Sequence, residues 1–110
     1  MDYIMVTKDG LTLKIKVTDI YYIGTVVDRP HVLKIVTEES SYEIYGKLKD
    51  MFAQASHILT RCHKKYLVNL AHVKGINKKN QQIIFENSKV DNIECSRRCL
   101  KEVIQTWENL

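Results

Sequence analysis

At 110 residues, 45% hydrophobic and 27% charged, the chain is sized for one domain over 1–110, with a core that needs no metal or disulfide staple. No apolar run approaches the ~20 residues of a membrane span, and Met1-Asp2-Tyr3-Ile4 lacks the regions of a secretion signal, so a cytoplasmic protein is expected. The net charge of +4 is concentrated: residues 53–85 hold six Lys/Arg and no acid, while the flanks each sum to −1. A merely solvated face mixes its signs, so this excess points to an anionic partner.

Taken in chain order, Lys8-Asp9-Gly10 is a tight turn that makes Asp2–Thr7 and Leu11–Val17 a hairpin. Strict alternation sets Leu11, Leu13, Ile15 and Val17 inward and Thr12, Lys14 and Lys16 outward. Strands are expected at Ile20–Thr25, His31–Thr37 and Ser41–Tyr45, separated by Asp28-Arg29-Pro30 and Glu38-Glu39-Ser40. Leu48, Met51, Phe52 and Ala55 then fall on one face of a short helix over Lys47–Ala55. Short strands follow at Leu59–Cys62, Tyr66–Val68, Val73–Asn77, Gln81–Phe85 and Lys89–Ile93, with Asn77-Lys78-Lys79-Asn80 as a turn. Ser96 is suited to cap a last helix whose apolar face is Leu100, Val103, Ile104 and Trp107. About ten short strands with two short helices make a mainly β domain rather than a helix-turn-helix protein.

Two basic fragments stand out. If Arg61-Cys62-His63-Lys64-Lys65 were a regular strand, both its faces would be polar, so it reads as a strand end running into an exposed loop, with Tyr66-Leu67-Val68 re-entering the core. The plainer reading is a surface loop with one structural ion pair at Arg61. Ser96-Arg97-Arg98 places two arginines in a first helical turn, where acidic residues are preferred, so an external anion is expected to compensate. The plainer reading pairs Arg98 with Glu94 or Glu102. His31 sits at a loop-to-strand junction and on its own signals little.

Catalysis and metal find little support. Cys62, Cys95 and Cys99 are odd in number and lack C-x-x-C spacing, so neither a disulfide framework nor a zinc site is expected. Cys62 and His63 are adjacent, so in a strand they point to opposite faces and cannot share a proton. No Gly-rich phosphate loop or plausible carboxylate pair is present, so an enzyme is not expected, nor a cofactor.

Arg61-Cys62-His63-Lys64-Lys65-Tyr66-Leu67-Val68-Asn69 resembles the R-x-H-K/R-S-Y/F-L/V-V/I-N pattern of the LytTR family of bacterial DNA-binding domains. Ser96-Arg97-Arg98 is similar to its S-R-R element, Tyr45-Gly46-Lys47-Leu48 to the lead-in of its short helix, and Asp19-Ile20-Tyr21-Tyr22-Ile23 to its early strand. The one departure is Lys65, which stands where the family usually has Ser. The resemblance implies an elongated stack of small antiparallel sheets whose loops enter successive major grooves of double-stranded DNA. Contacts would come from His31, from His63, Lys64 and Lys65, and from Arg97 and Arg98, with Arg61, Asn69 and Ser96 shaping the loops. It further implies bacterial transcriptional regulation at promoter direct repeats, with a second copy side by side on DNA. Such domains usually follow a receiver domain within a two-component pathway, so the chain is expected to be either an excised output domain or a free-standing regulator.

The alternative is a β-rich protein-interaction or RNA-binding module whose basic rim is incidental. RNA-binding sheets display aromatics on an open face, whereas the tyrosines here are scattered through strands that need a core.

Overall fold

The computed structural model describes residues 2–110. Strands β1 (Tyr3–Lys8) and β2 (Leu11–Lys16) form a hairpin closed by Asp9 and Gly10, both at positive φ (52° and 80°), the turn that an Asp-Gly pair favours. Ile4 and Val6 are buried while Leu13 and Ile15 are half-buried. Leu11, expected inward, is instead 62% exposed: it pairs with Lys8 beside the turn, where the hairpin has run past the core.

After a 3-10 turn at Val17–Asp19 come β3 (Ile20–Thr25), β4 (Val32–Thr37), β5 (Ser41–Tyr45) and helix α1 (Leu48–Ala55). Next are β6 (Leu59–His63), β7 (Tyr66–Asn69), a 3-10 turn at Leu70–His72, β8 (Val73–Asn77), β9 (Gln82–Phe85), β10 (Ile93–Glu94) and helix α2 (Arg97–Glu108). The strands make three antiparallel sheets, ordered β1-β2, β5-β4-β3-β7-β6 and β10-β9-β8. The last strand is shorter than the expected Lys89–Ile93. Asn87 accepts from the Lys89 amide (2.9 Å) through its side chain and from the Val90 amide (3.0 Å) through its carbonyl, coiling that segment away from β9 until Ile93.

The five-stranded sheet is buried on both faces. On one side Ile20, Ile23, Leu33, Ile35, Leu59 and Leu67 pack with Ile4 and Val6 of the hairpin and Leu48, Met51 and Ala55 of α1. On the other, Tyr21, Tyr22, Val36, Cys62 and Val68 pack with Ile83 and Phe85 of β9 and Val103 of α2. Double burial is why β3 and β4 read as nearly unbroken apolar runs. A register shift against β4 between Ile20 and Tyr22 lets the adjacent Tyr21 and Tyr22 serve the same core. The resulting stack of layers is elongated, 42 × 25 × 25 Å.

Polar clasps join the layers. His72 stacks on Tyr21 at 4.2 Å, with Nε2 at 2.8 Å from the Thr18 carbonyl and Nδ1 at 2.9 Å from Glu86. Trp107 Nε1 donates to the Val73 carbonyl (3.1 Å), docking α2 on β8. Among the described residues no helix is long and apolar enough to cross a membrane.

Candidate nucleic-acid interface

Strands β6 and β7 close through the two-residue turn Lys64-Lys65, with His63 opposite Tyr66 and a register shift between Arg61 and His63. Arg61 folds over this turn: Nε donates to the His63 carbonyl and a terminal nitrogen to the Lys64 carbonyl, each at 3.1 Å. Among the described residues it makes no ion pair, and its guanidinium is spent on the turn carbonyls. His63 Nδ1 accepts from the Lys65 amide (3.1 Å), leaving Nε2 to face Glu94 at 3.6 Å. Its side chain is only 13% exposed and tilts against Tyr66. Lys64 and Lys65 are exposed, and among the described residues neither ammonium has a hydrogen-bond or ion-pair partner.

Backbone contacts tie the turn to its neighbours. The Thr25 amide donates to the Lys65 carbonyl (3.0 Å) at the start of the β3–β4 loop. Beside it, Gly24 faces Tyr66, and a Cβ there would lie 3.0 Å from the ring, so glycine lets the aromatic pack flat on β3. The Ser96 amide donates to the Cys62 carbonyl (2.8 Å), fixing the start of α2 against β6.

Ser96 caps α2, its hydroxyl accepting from the Cys99 amide at 3.2 Å. Arg97 and Arg98 are exposed in a first turn that holds no acidic residue. Arg98 pairs with neither Glu94 nor Glu102, and neither arginine has an ion-pair partner among the described residues. Asn69 lies at the far end of β7, away from Lys64-Lys65. There it donates to the Thr18 carbonyl (3.2 Å) and accepts from the Ala71 amide (3.1 Å).

His31 ends the β3–β4 loop at φ 68°, a left-handed conformation that histidine adopts more readily than most residues. Its carbonyl accepts from the Gly46 amide (2.8 Å), coupling the loop to the approach to α1, and its exposed side chain has no partner among the described residues. Between this loop, the start of α1 and the Lys64 turn lies a cleft of about 320 Å³. His31, Arg61 and Lys64 thus border one concavity, together with Arg29, Lys47 and Lys49. The last three escape a sequence reading because only the tertiary fold brings them to Arg61. The available signal was two lysines at the start of a helix, the same anomaly that Arg97 and Arg98 present.

The three cysteines are free thiols behind this surface. Burial, then the neighbouring Cys95 and Cys99, pushes the Cys62 thiol far up, and burial with Cys99 raises Cys95 to about 11. Thiols held protonated are poor nucleophiles and poor metal ligands. Among the described residues no group of three or more His, Cys, Asp or Glu side chains could hold a metal ion.

Residues 10–108 match the sequence profile of the LytTr DNA-binding domain. A solved LytTr DNA-binding domain from Bacillus cereus, described as belonging to a methyl-accepting/DNA response regulator, superposes with a TM-score of 0.79. That likeness covers 100% of this chain and 99% of the other at 12% identity, so it bears on fold alone. No curated protein matches the chain by sequence. The profile spans nearly the whole chain, and the chain belongs to the LytTr DNA-binding domain family.

Proposed function

We propose that the domain regulates transcription by reading double-stranded DNA with loops set in successive major grooves, at paired direct repeats that seat two copies side by side. In this reading His31 and Arg98 approach base edges, Lys64, Lys65 and Arg97 contact phosphates, and His63, held by Tyr66 and the Lys65 amide, orients the turn between them. Arg61, Asn69 and Ser96 keep the supporting backbone in shape.

The observation that carries the reading is the set of exposed cations Lys64, Lys65, Arg97 and Arg98. They lie on two segments that a backbone hydrogen bond holds together, and none of the four makes an ion pair among the described residues. Like charges gathered this way repel one another in the free protein, and a phosphate backbone relieves that repulsion. The exposed aromatics favour no stacking platform for single strands, since Tyr3 and Tyr45 belong to different sheets.

The test is a duplex mobility shift across a salt series. With about 4–6 phosphates neutralised, log K against log [salt] should fall with a slope on the order of −4 to −5. A flat response removes the reading.

A further inference from the structure

Resting on that reading and deepening it, we propose that the tip of the β3–β4 loop reads bases in the major groove, with Val27 seated on the methyl group of a thymine. The Arg29 amide reaches back to the Val26 carbonyl (3.3 Å), closing a tight turn with Val27 and Asp28 as its central residues. Of these two only Asp28 has a positive φ (62°), which gives the bend a type II character. Turn centres favour Gly, Pro, Asn, Asp and Ser, so Asp28 suits its place and a valine does not. Val26 is half-buried and lines the cleft, whereas Val27 is 78% exposed and adds little to either core.

The loop is pinned without help from Val27. Thr25 bonds Lys65, His31 bonds Gly46, and the Val32 amide donates to the Arg29 carbonyl (3.2 Å). Val27 therefore stands along the chain between two points already assigned to DNA, the Lys64-Lys65 turn and His31. The charges of the tip argue against a phosphate contact there. Its one arginine, Arg29, is engaged by Glu43 of β5 at 2.7 Å. Asp28 has no partner among the described residues, and its carboxylate repels phosphate oxygens. Base edges are what remains to such a tip. In the major groove the thymine methyl is the apolar feature that side chains such as Ala or Thr recognise by contact. Valine presents two methyl groups on a stiff χ1, so little freedom is lost when it docks. Asp28 beside it can only accept, and cytosine and adenine both offer an amino donor in that groove.

The experiment selects duplexes from a random-sequence pool with the wild-type domain. Each thymine of a selected duplex is then replaced in turn by deoxyuridine, which lacks only the methyl group. Wild type and Val27→Ala are titrated on the whole set. One replacement should weaken the wild type roughly three- to five-fold, the worth of one methyl group withdrawn from water. Val27→Ala should bind the parent duplex more weakly by a similar factor and be indifferent to that same replacement, so that the two losses do not add. Its melting temperature should match that of the wild type, because Val27 is exposed. A deoxyuridine profile of the same shape in both proteins, whether or not Val27→Ala is weaker throughout, overturns the thymine contact and leaves DNA binding intact. A pool that yields no bound duplex overturns both.

Discussion

Arg98 and the hairpin lysines differ in what they can distinguish. A guanidinium can grip guanine O6 and N7 with two parallel hydrogen bonds, worth about 1–3 kcal/mol against a wrong base, while an ammonium at a phosphate treats every sequence alike. Arg98→Ala should therefore narrow the gap between cognate and scrambled duplex, with folding unchanged because Arg98 is exposed and has no partner among the described residues. Lys64→Ala or Lys65→Ala should weaken both duplexes in parallel and flatten the salt slope by about one each. Equal losses on both duplexes for Arg98→Ala would make it one more phosphate contact and pass specificity to His31. Position decided how much of this was legible. Lys64 and Lys65 stand in one short run whose polarity forbids a core strand, so their exposure could be read directly. That His63 would be mostly buried depends on Tyr66 and Glu94, and Glu94 reaches it only through the fold.

At the level of elements, periodic segments were readable and irregular ones were not. The face of α2 and the β1–β2 hairpin follow from local spacing, as does the burial of Leu48, Met51 and Ala55 on α1. Leu11 fails the alternation rule because periodicity says which side a residue faces and not whether anything lies there. The segment after Asn87 fails because its side-chain turn outcompetes strand pairing. The junction of β6 with α2 carries a pH signature. The folded state favours the protonated Cys95 thiol, shifted from 9.0 to about 11, and the still higher Cys62. Stability from these groups is complete below about pH 9 and declines as pH climbs toward 11. C62A/C95A should keep a cooperative transition and lose less stability than wild type across that interval in thermal melts. Parallel losses would assign the alkaline sensitivity elsewhere.

For the molecule as a whole, two cores share one sheet. Loss of either exposes a face of β3, whose side chains supply both, so the layers should unfold together. Leu67 belongs to the core under α1, whereas Trp107, the only tryptophan, packs against the other. Leu67→Ala should cost about 2–5 kcal/mol. It should also shift the Trp107 fluorescence transition as far as the far-ultraviolet circular dichroism transition. Separate midpoints would show that the two halves unfold independently.

Three bonds that tether the His31 loop, the Lys64-Lys65 turn and the start of α2, namely Thr25 to Lys65, Gly46 to His31 and Ser96 to Cys62, run from main chain to main chain. None depends on which side chain a loop carries at its tip. Chemistry at positions such as Lys64 and Arg98 can therefore change while the mooring holds, and at His31 it can change among the residues that accept its left-handed φ of 68°. A library randomised at those tips should yield folded proteins with altered target preference, which makes the scaffold a natural chassis for retargeting to new promoters.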